Sequence, residues 1–410
     1  VAGPVRTGVN LYPWDVVGDP RAAAWVAALG AEEVTLAAVY HATRAVTPRH
    51  PGHRIVTAPH TAAYFPLPRS RLDGALWPQP PAAGAGDDPF GAAAAALADA
   101  GLRVNAWAVL LHVDGELAGA PAGAATPVVV NAYGDRYPWA LCAAQPAARR
   151  YAAAVAAATA ARPGLAGLEL EACGWFGFAH LHAHDKTGGA PGGAAGEFLL
   201  SLCFCPACQP RYAAAGLDPA GLQARVAAGL DALFAGSVQP APDYPEWTIS
   251  ERLLGADTAA AVLAARCRTG DELRAAVLAA VRAAAGPDLP VLLHADPVPL
   301  HTGAYTGLDP ATALGVADGL VVSAWGDRAA AAGTVRAAAA GARPGSRVVA
   351  SLLAVRALGG QLDELPARAA AAVDAGATDL RFYHAGLASA ADLAAIAAAV
   401  RRLRSAPTAG

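Results

Sequence analysis

GLAGLELEACGWFGFAHLHAHDKTGGAPGGAAGEFLLSLCFCPAC, residues 164–208, carries the features around which the rest of the chain is arranged. Leu165 to Cys173 is apolar except for two carboxylates and reads as a strand. Glu169 and Glu171 stand two apart, so both project from one face of it. A polar loop follows with His180, His182, His184, Asp185 and Lys186, and the stretch closes on Cys203, Cys205 and Cys208. Acid chemistry, a polar loop and a metal-type cysteine cluster thus share one supersecondary unit.

Working outward, apolar strand-like runs alternate with Ala-rich helical runs on both sides. Strands are expected at Thr7–Trp14, Glu33–His41, Leu102–His112, Leu165–Cys173, Pro290–Asp296, Gly319–Trp325, Arg347–Val355 and Asp379–His384. Helices are expected at Arg21–Leu29, Gly91–Ala100, Pro146–Ala161, Thr269–Ala285, Pro310–Val316, Ala329–Ala340 and Leu365–Ala375, with a last one capped by Ser389 and running to Arg404. Eight β/α repeats with strands apolar on both faces imply an α/β fold, a parallel (β/α)8 TIM barrel. A doubly wound sheet would call for a Gly-rich phosphate fingerprint after a strand, and none occurs. Residues 1–410 are therefore expected to form a single barrel domain. A long insertion after the fourth strand, 176–268, would hold two helices, the His loop and the Cys cluster.

The chain has 410 residues, 55% hydrophobic and 15% charged, with a formal net charge of −3. With no Lys/Arg-rich run, it offers no footprint for nucleic acid or an anionic membrane. The start, VAGPVRTG, lacks a basic and an apolar signal region, and six cysteines are too few for a disulfide scaffold, so a cytoplasmic location is expected. Lys186 is the only lysine, and asparagine occurs only at Asn10, Asn105 and Asn131. Such scarcity singles out Lys186, Asn10 and Asn131 as residues kept for a task.

Barrel enzymes place their chemistry at the C-terminal ends of the strands. Here those ends carry Asn10, Tyr12, Trp14 and Asp15; Tyr40 and His41; His112 and Asp114; Glu171 and Trp175; His294 and Asp296; Trp325 and Asp327; and Tyr383 and His384. Aromatic rings at so many strand ends suit the stacking of sugar rings. Glycoside hydrolysis needs two carboxyl groups, one of them protonated. Glu171 is the expected general acid. Glu169 would either tune it as a neighbouring charge or pair with an arginine inside the barrel. Asp296, beside His294, is the expected second carboxylate. Lys186, His182 and His184 would contact substrate, or the histidines could join a divalent metal.

Three thiolates at C-x-C-x2-C can supply three of four tetrahedral zinc ligands, and Cys142, just before the helix leading into the acidic strand, is the natural fourth. With that pattern and the following Tyr212, residues 130–212 resemble the β-galactosidases of glycoside hydrolase family 42. The resemblance implies a structural zinc held by Cys142, Cys203, Cys205 and Cys208, and a small carbohydrate or glycoside as substrate. The chain departs from that family at the catalytic pair. Leu170, not Asn, precedes Glu171, and the seventh strand ends SLLAVRALGG without a carboxylate. Two further readings stand beside hydrolysis: a divalent-metal-dependent sugar isomerase or epimerase using Glu171, His182 or His184, His294 and Asp296, and a saccharide-binding barrel without catalysis. The loop Arg49–Pro68 would form either a pocket wall or the contact of a homo-oligomer.

Overall fold

Alternation along each strand sorts side chains into two sets, and the contacts of the acidic strand show where each goes. In the computed structural model, Glu169 bonds to side chains of the second, fifth and eighth strands at once. Only the interior of a closed barrel brings these together. The structure describes residues 5–68, 76–82, 86–114, 117–119, 126–178, 186–187, 193–238 and 246–405.

Eight parallel strands close the barrel: β1 (Arg6–Leu11), β2 (Glu33–Tyr40), β3 (Arg103–Val109), β4 (Gly167–Glu171), β5 (Val291–Asp296), β6 (Gly319–Ser323), β7 (Arg347–Leu353) and β8 (Asp379–Tyr383). Each pairs with its sequence neighbours, and β8 returns to β1 through Gly8↔Arg381. All eight lie where the sequence pattern puts them, and the fold is the (β/α)8 TIM barrel. Around them lie α1 (Ala22–Ala28), α2 (Pro89–Asp99), α3 (Pro146–Ala160), α4 (Ala256–Ala285), α5 (Pro310–Ala313), α6 (Arg328–Ala340), α7 (Leu365–Asp374) and α8 (Ala390–Ser405).

Local chemistry sets these helices. In α3, Pro146 opens the first turn, where its missing N–H costs nothing. Its buried stripe, Ala148, Tyr151, Ala152, Val155, Ala156 and Thr159, follows the 3-4 spacing of one helical face. That face lies toward the barrel wall, where Leu168 and Leu170 point outward and are fully buried, and α4 packs against α3.

The insertion differs from expectation. It holds helices 193–200, 209–214, 219–234 and 246–254, and α4 starts at Ala256 rather than Thr269. Thr269-Gly270 looks like a helix start, but Thr269 Oγ1 donates back to the Ala265 carbonyl at 2.8 Å and the helix runs on. The break falls instead at Gly255, whose φ of +82° ends one helix and begins the next.

The barrel floor is ionic. Arg381 Nη2 donates to Glu33 at 2.6 Å, Arg347 Nη2 donates to the same oxygen at 3.0 Å, and Arg347 also pairs with Asp379. A Cβ on Gly8 would sit 2.8 Å from Arg381 Nη1, so glycine there makes room for the guanidinium. No helix among the described residues is long and apolar enough to cross a membrane.

Candidate active site

Above that floor the inward positions of β4 meet the acid chemistry. Glu169 Oε1 accepts from Thr35 Oγ1 at 2.8 Å and from Arg381 Nε at 3.1 Å, while Oε2 lies 3.2 Å from His294 Nε2. Burial alone would raise its pKa. The Arg381 charge and the His294 and Thr35 hydrogen bonds outweigh that and hold it at about 2. Glu169 is thus a fixed anion, paired with a barrel arginine.

Glu171 sits one inward position nearer the C-terminal end and behaves in the opposite way. Its Oε2 accepts from Trp107 Nε1 at 2.9 Å and lies 3.6 Å from His294 Nδ1. Burial pushes its pKa up and the Glu169 charge adds to that, against the smaller downward pulls of His294 and Trp107. Two carboxyl groups on one strand, bridged by one imidazole, are therefore driven apart in acidity. The arrangement can hold a proton on Glu171 and a charge on Glu169 at the same pH.

Aromatic rings enclose this pair. Tyr12 stacks on Trp14 at 4.4 Å and on His384 at 4.3 Å, and its hydroxyl lies 3.2 Å from that of Tyr40. Tyr40 meets the edge of Trp107 at 4.9 Å. On the far side Tyr305 stacks on His294 at 5.1 Å, and Trp325 packs against Tyr383 at 5.0 Å, partly open to solvent. Burial raises the Tyr12 and Tyr40 hydroxyls well above their ordinary range and pushes His384 down to about 3, so that imidazole is neutral. Among the described residues, both His384 nitrogens and Asn10 Oδ1 are buried without a hydrogen-bond partner.

Other expected site residues are placed differently. Asp296 does not pair with His294; its Oδ2 lies 2.9 Å from His301 Nδ1 and its Oδ1 accepts from the Val298 N–H at 2.8 Å. His294 is taken up by the two glutamates. Asp15 accepts from the Tyr12 N–H, and burial raises its pKa to about 7. Asn131 satisfies its whole amide within one turn, accepting from the Tyr133 and Asp135 N–H groups and donating to Asp135 and Tyr137. Asp327 caps α6 through the Ala330 N–H. Trp175 donates to the Arg266 carbonyl and is wedged against α4. Lys186 is exposed. His180, His182 and His184 lie outside the described residues. Trp107, Thr35, Arg381 and Tyr305 were not anticipated. For Trp107, Thr35 and Arg381 the signal was the inward register of β3, β2 and β8; Tyr305 lies outside the eight strands, where alternation gives none.

Cys142, Cys203, Cys205 and Cys208 gather into one buried group, their sulfurs all within 4.8 Å of one another. The Cys142 Sγ–Cys208 Sγ and Cys142 Sγ–Cys205 Sγ separations are 3.5 and 3.8 Å. Donors on a tetrahedral ion with bonds of ~2.3 Å stand ~3.8 Å apart, so the set fits a metal. The cluster ties the 128–141 hairpin and the insertion helices to the start of α3; the Val130 N–H donates to Cys203 Sγ at 3.3 Å.

The chain superposes on the PgaB (BpsB) glycoside hydrolase domain from Bordetella bronchiseptica with a TM-score of 0.58 at 18% identity, covering 97% of this chain and 99% of that one. What the two share is the (β/α)8 barrel fold. A second such barrel, the catalytic domain of β-amylase from Paenibacillus polymyxa, matches with a TM-score of 0.56 at 12% identity, over 99% of this chain and 100% of that one. No protein-family model and no curated protein sequence matches the chain.

Proposed function

We propose that this protein is a glycoside-hydrolase-like enzyme acting on a carbohydrate or glycoside, with Glu171 as general acid. The observation that carries this reading is the environment of Glu171. It is a buried carboxyl with a raised pKa, hydrogen-bonded by Trp107 and set among aromatic rings at the C-terminal end of a barrel strand. A carboxyl whose pKa is raised holds its proton more readily and can protonate a departing glycosidic oxygen, a contribution of about 10²–10⁴ in rate.

Glu169 acts through Glu171, as the anion that disfavours a second charge. Asp296, one inward position beyond His294 on β5, is the candidate second carboxylate, now oriented by His301. Trp325 and Tyr383 supply ring faces for a sugar in front of the buried Tyr12 and Tyr40, and Asn10 and His384 bring unspent hydrogen-bonding capacity to the same mouth. The four cysteines fit a structural zinc, since four thiolates leave no open position.

The test is hydrolysis of a panel of oligosaccharides and aryl glycosides by wild type and Glu171→Gln. Turnover of the oligosaccharides, whose leaving groups need a proton, should fall by about 10²–10⁴ in the variant, with circular dichroism and metal content unchanged. Hydrolysis by the variant at the wild-type rate would refute the role of Glu171. Saccharide binding by calorimetry with no product from wild type would leave a binding barrel instead.

A further inference from the structure

We infer that His41, His112 and Asp114 form a second metal centre, separate from the cysteines, that takes a divalent transition-metal ion at the barrel rim. His41 follows the end of β2, and the other two follow β3. Their ligand atoms all lie within 4.8 Å of one another. His112 Nε2 is 3.4 Å from Asp114 Oδ2, and His41 Nδ1 is 3.7 Å from the same oxygen. These separations exceed a good hydrogen bond. The first matches the ~3.3 Å between two donors on an ion with bonds of ~2.0–2.1 Å at a tetrahedral angle.

The surroundings hold the three groups in place as a metal site requires. His41 Nδ1 lies 2.8 Å from the Ala42 carbonyl. That contact fixes the His41 ring beside Asp114, as a partner on the outer side of a metal-type histidine does. His112 is fully buried, and its ring lies flat on Phe176 at 4.4 Å with 14° between planes. The chain around it is pinned by Val113 N–H to the Trp139 carbonyl and Leu141 N–H to the Leu111 carbonyl. Thr61 clamps Asp114: the Asp114 N–H donates to Thr61 Oγ1 at 2.7 Å, and the Thr61 N–H donates to the Asp114 carbonyl at 2.9 Å.

Two imidazoles and one carboxylate select a borderline ion such as Zn²⁺, Co²⁺, Fe²⁺ or Mn²⁺ over Ca²⁺ or Mg²⁺, which prefer oxygen-only shells. Among the described residues the centre has three protein ligands. The centre adjoins the aromatic wall. His41 stacks on Tyr40 at 4.2 Å, and Tyr40 in turn meets Trp107, the donor to Glu171. This inference stands whether or not the protein hydrolyses glycosides.

The experiment is a Co²⁺ titration of the full chain after mild chelation, followed by absorption, calorimetry and elemental analysis. Wild type should bind one exchangeable ion beyond whatever the cysteines retain, with d–d bands and no thiolate charge-transfer band. Asp114→Asn and His41→Gln should each weaken that ion by about tenfold or more. Both should leave the cysteine-held metal and the circular dichroism spectrum unchanged. A wild-type protein that takes up no exchangeable ion overturns the inference. So do two folded variants that bind it with wild-type affinity.

Discussion

Replacing Arg381 with Met removes the cation that holds Glu169 ionised inside the barrel, while keeping much of the side-chain volume. Glu169 is depressed from 4.5 to about 2, a shift that corresponds to about 3 kcal/mol of folding stability at neutral pH. The figure agrees with the ~3–5 kcal/mol lost when one partner of a buried ion pair is deleted. Because the folded-state pKa lies below the unfolded one, this stability is fully present above pH 4.5 and is lost as pH falls toward 2. At pH 3 the same two pKa values leave less than half of it. Urea denaturation followed by tryptophan fluorescence at both pH values measures the gap between wild type and Arg381→Met. The gap should be about 3 kcal/mol or more at pH 7 and less than half as large at pH 3. A gap below 1 kcal/mol at pH 7, or one equal at both pH values, would refute the electrostatic account and leave only a packing defect.

Three other outcomes follow from named contacts. Trp107→Phe deletes the N–H that favours ionised Glu171, a bond worth ~1.5–3 kcal/mol, so the basic limb of kcat/KM should move up by about 1–2 pH units; a downward move would contradict it. Asp327→Ala should cost about 1 kcal/mol by denaturation and leave any glycoside turnover unchanged, because Asp327 caps α6. Cys205→Ser should release the cysteine-held metal and raise amide exchange in 128–141 and 193–234, with exchange in β5 to β8 unaffected.

The barrel was legible because each strand is a short apolar run between Ala-rich helices, a pattern that survives without any knowledge of side-chain contacts. Glu171 was legible for a related reason: a carboxylate at an apolar strand end must face the mouth. The ionic floor was not. Glu33 on β2 is far in sequence from Arg347 on β7 and from Asp379 and Arg381 on β8, and only closure of the barrel shows that their charges cancel. Asn131 holds a turn and Asp327 caps a helix, uses the sequence did not separate from sugar contact because the same residue types serve both. Trp107 was hidden within an apolar run, where only its register separates it from the outward-facing neighbours Ala106 and Ala108.

The leaving-group dependence of Glu171→Gln tests the central claim most directly. On glycosides that the wild type cleaves, loss of a general acid should cost about 10²–10⁴ in rate for a poor leaving group and little for dinitrophenolate, which departs without a proton. The basic limb of the pH profile should vanish as well. An equal loss on both substrates, or retention of the limb, would contradict Glu171 as the acid.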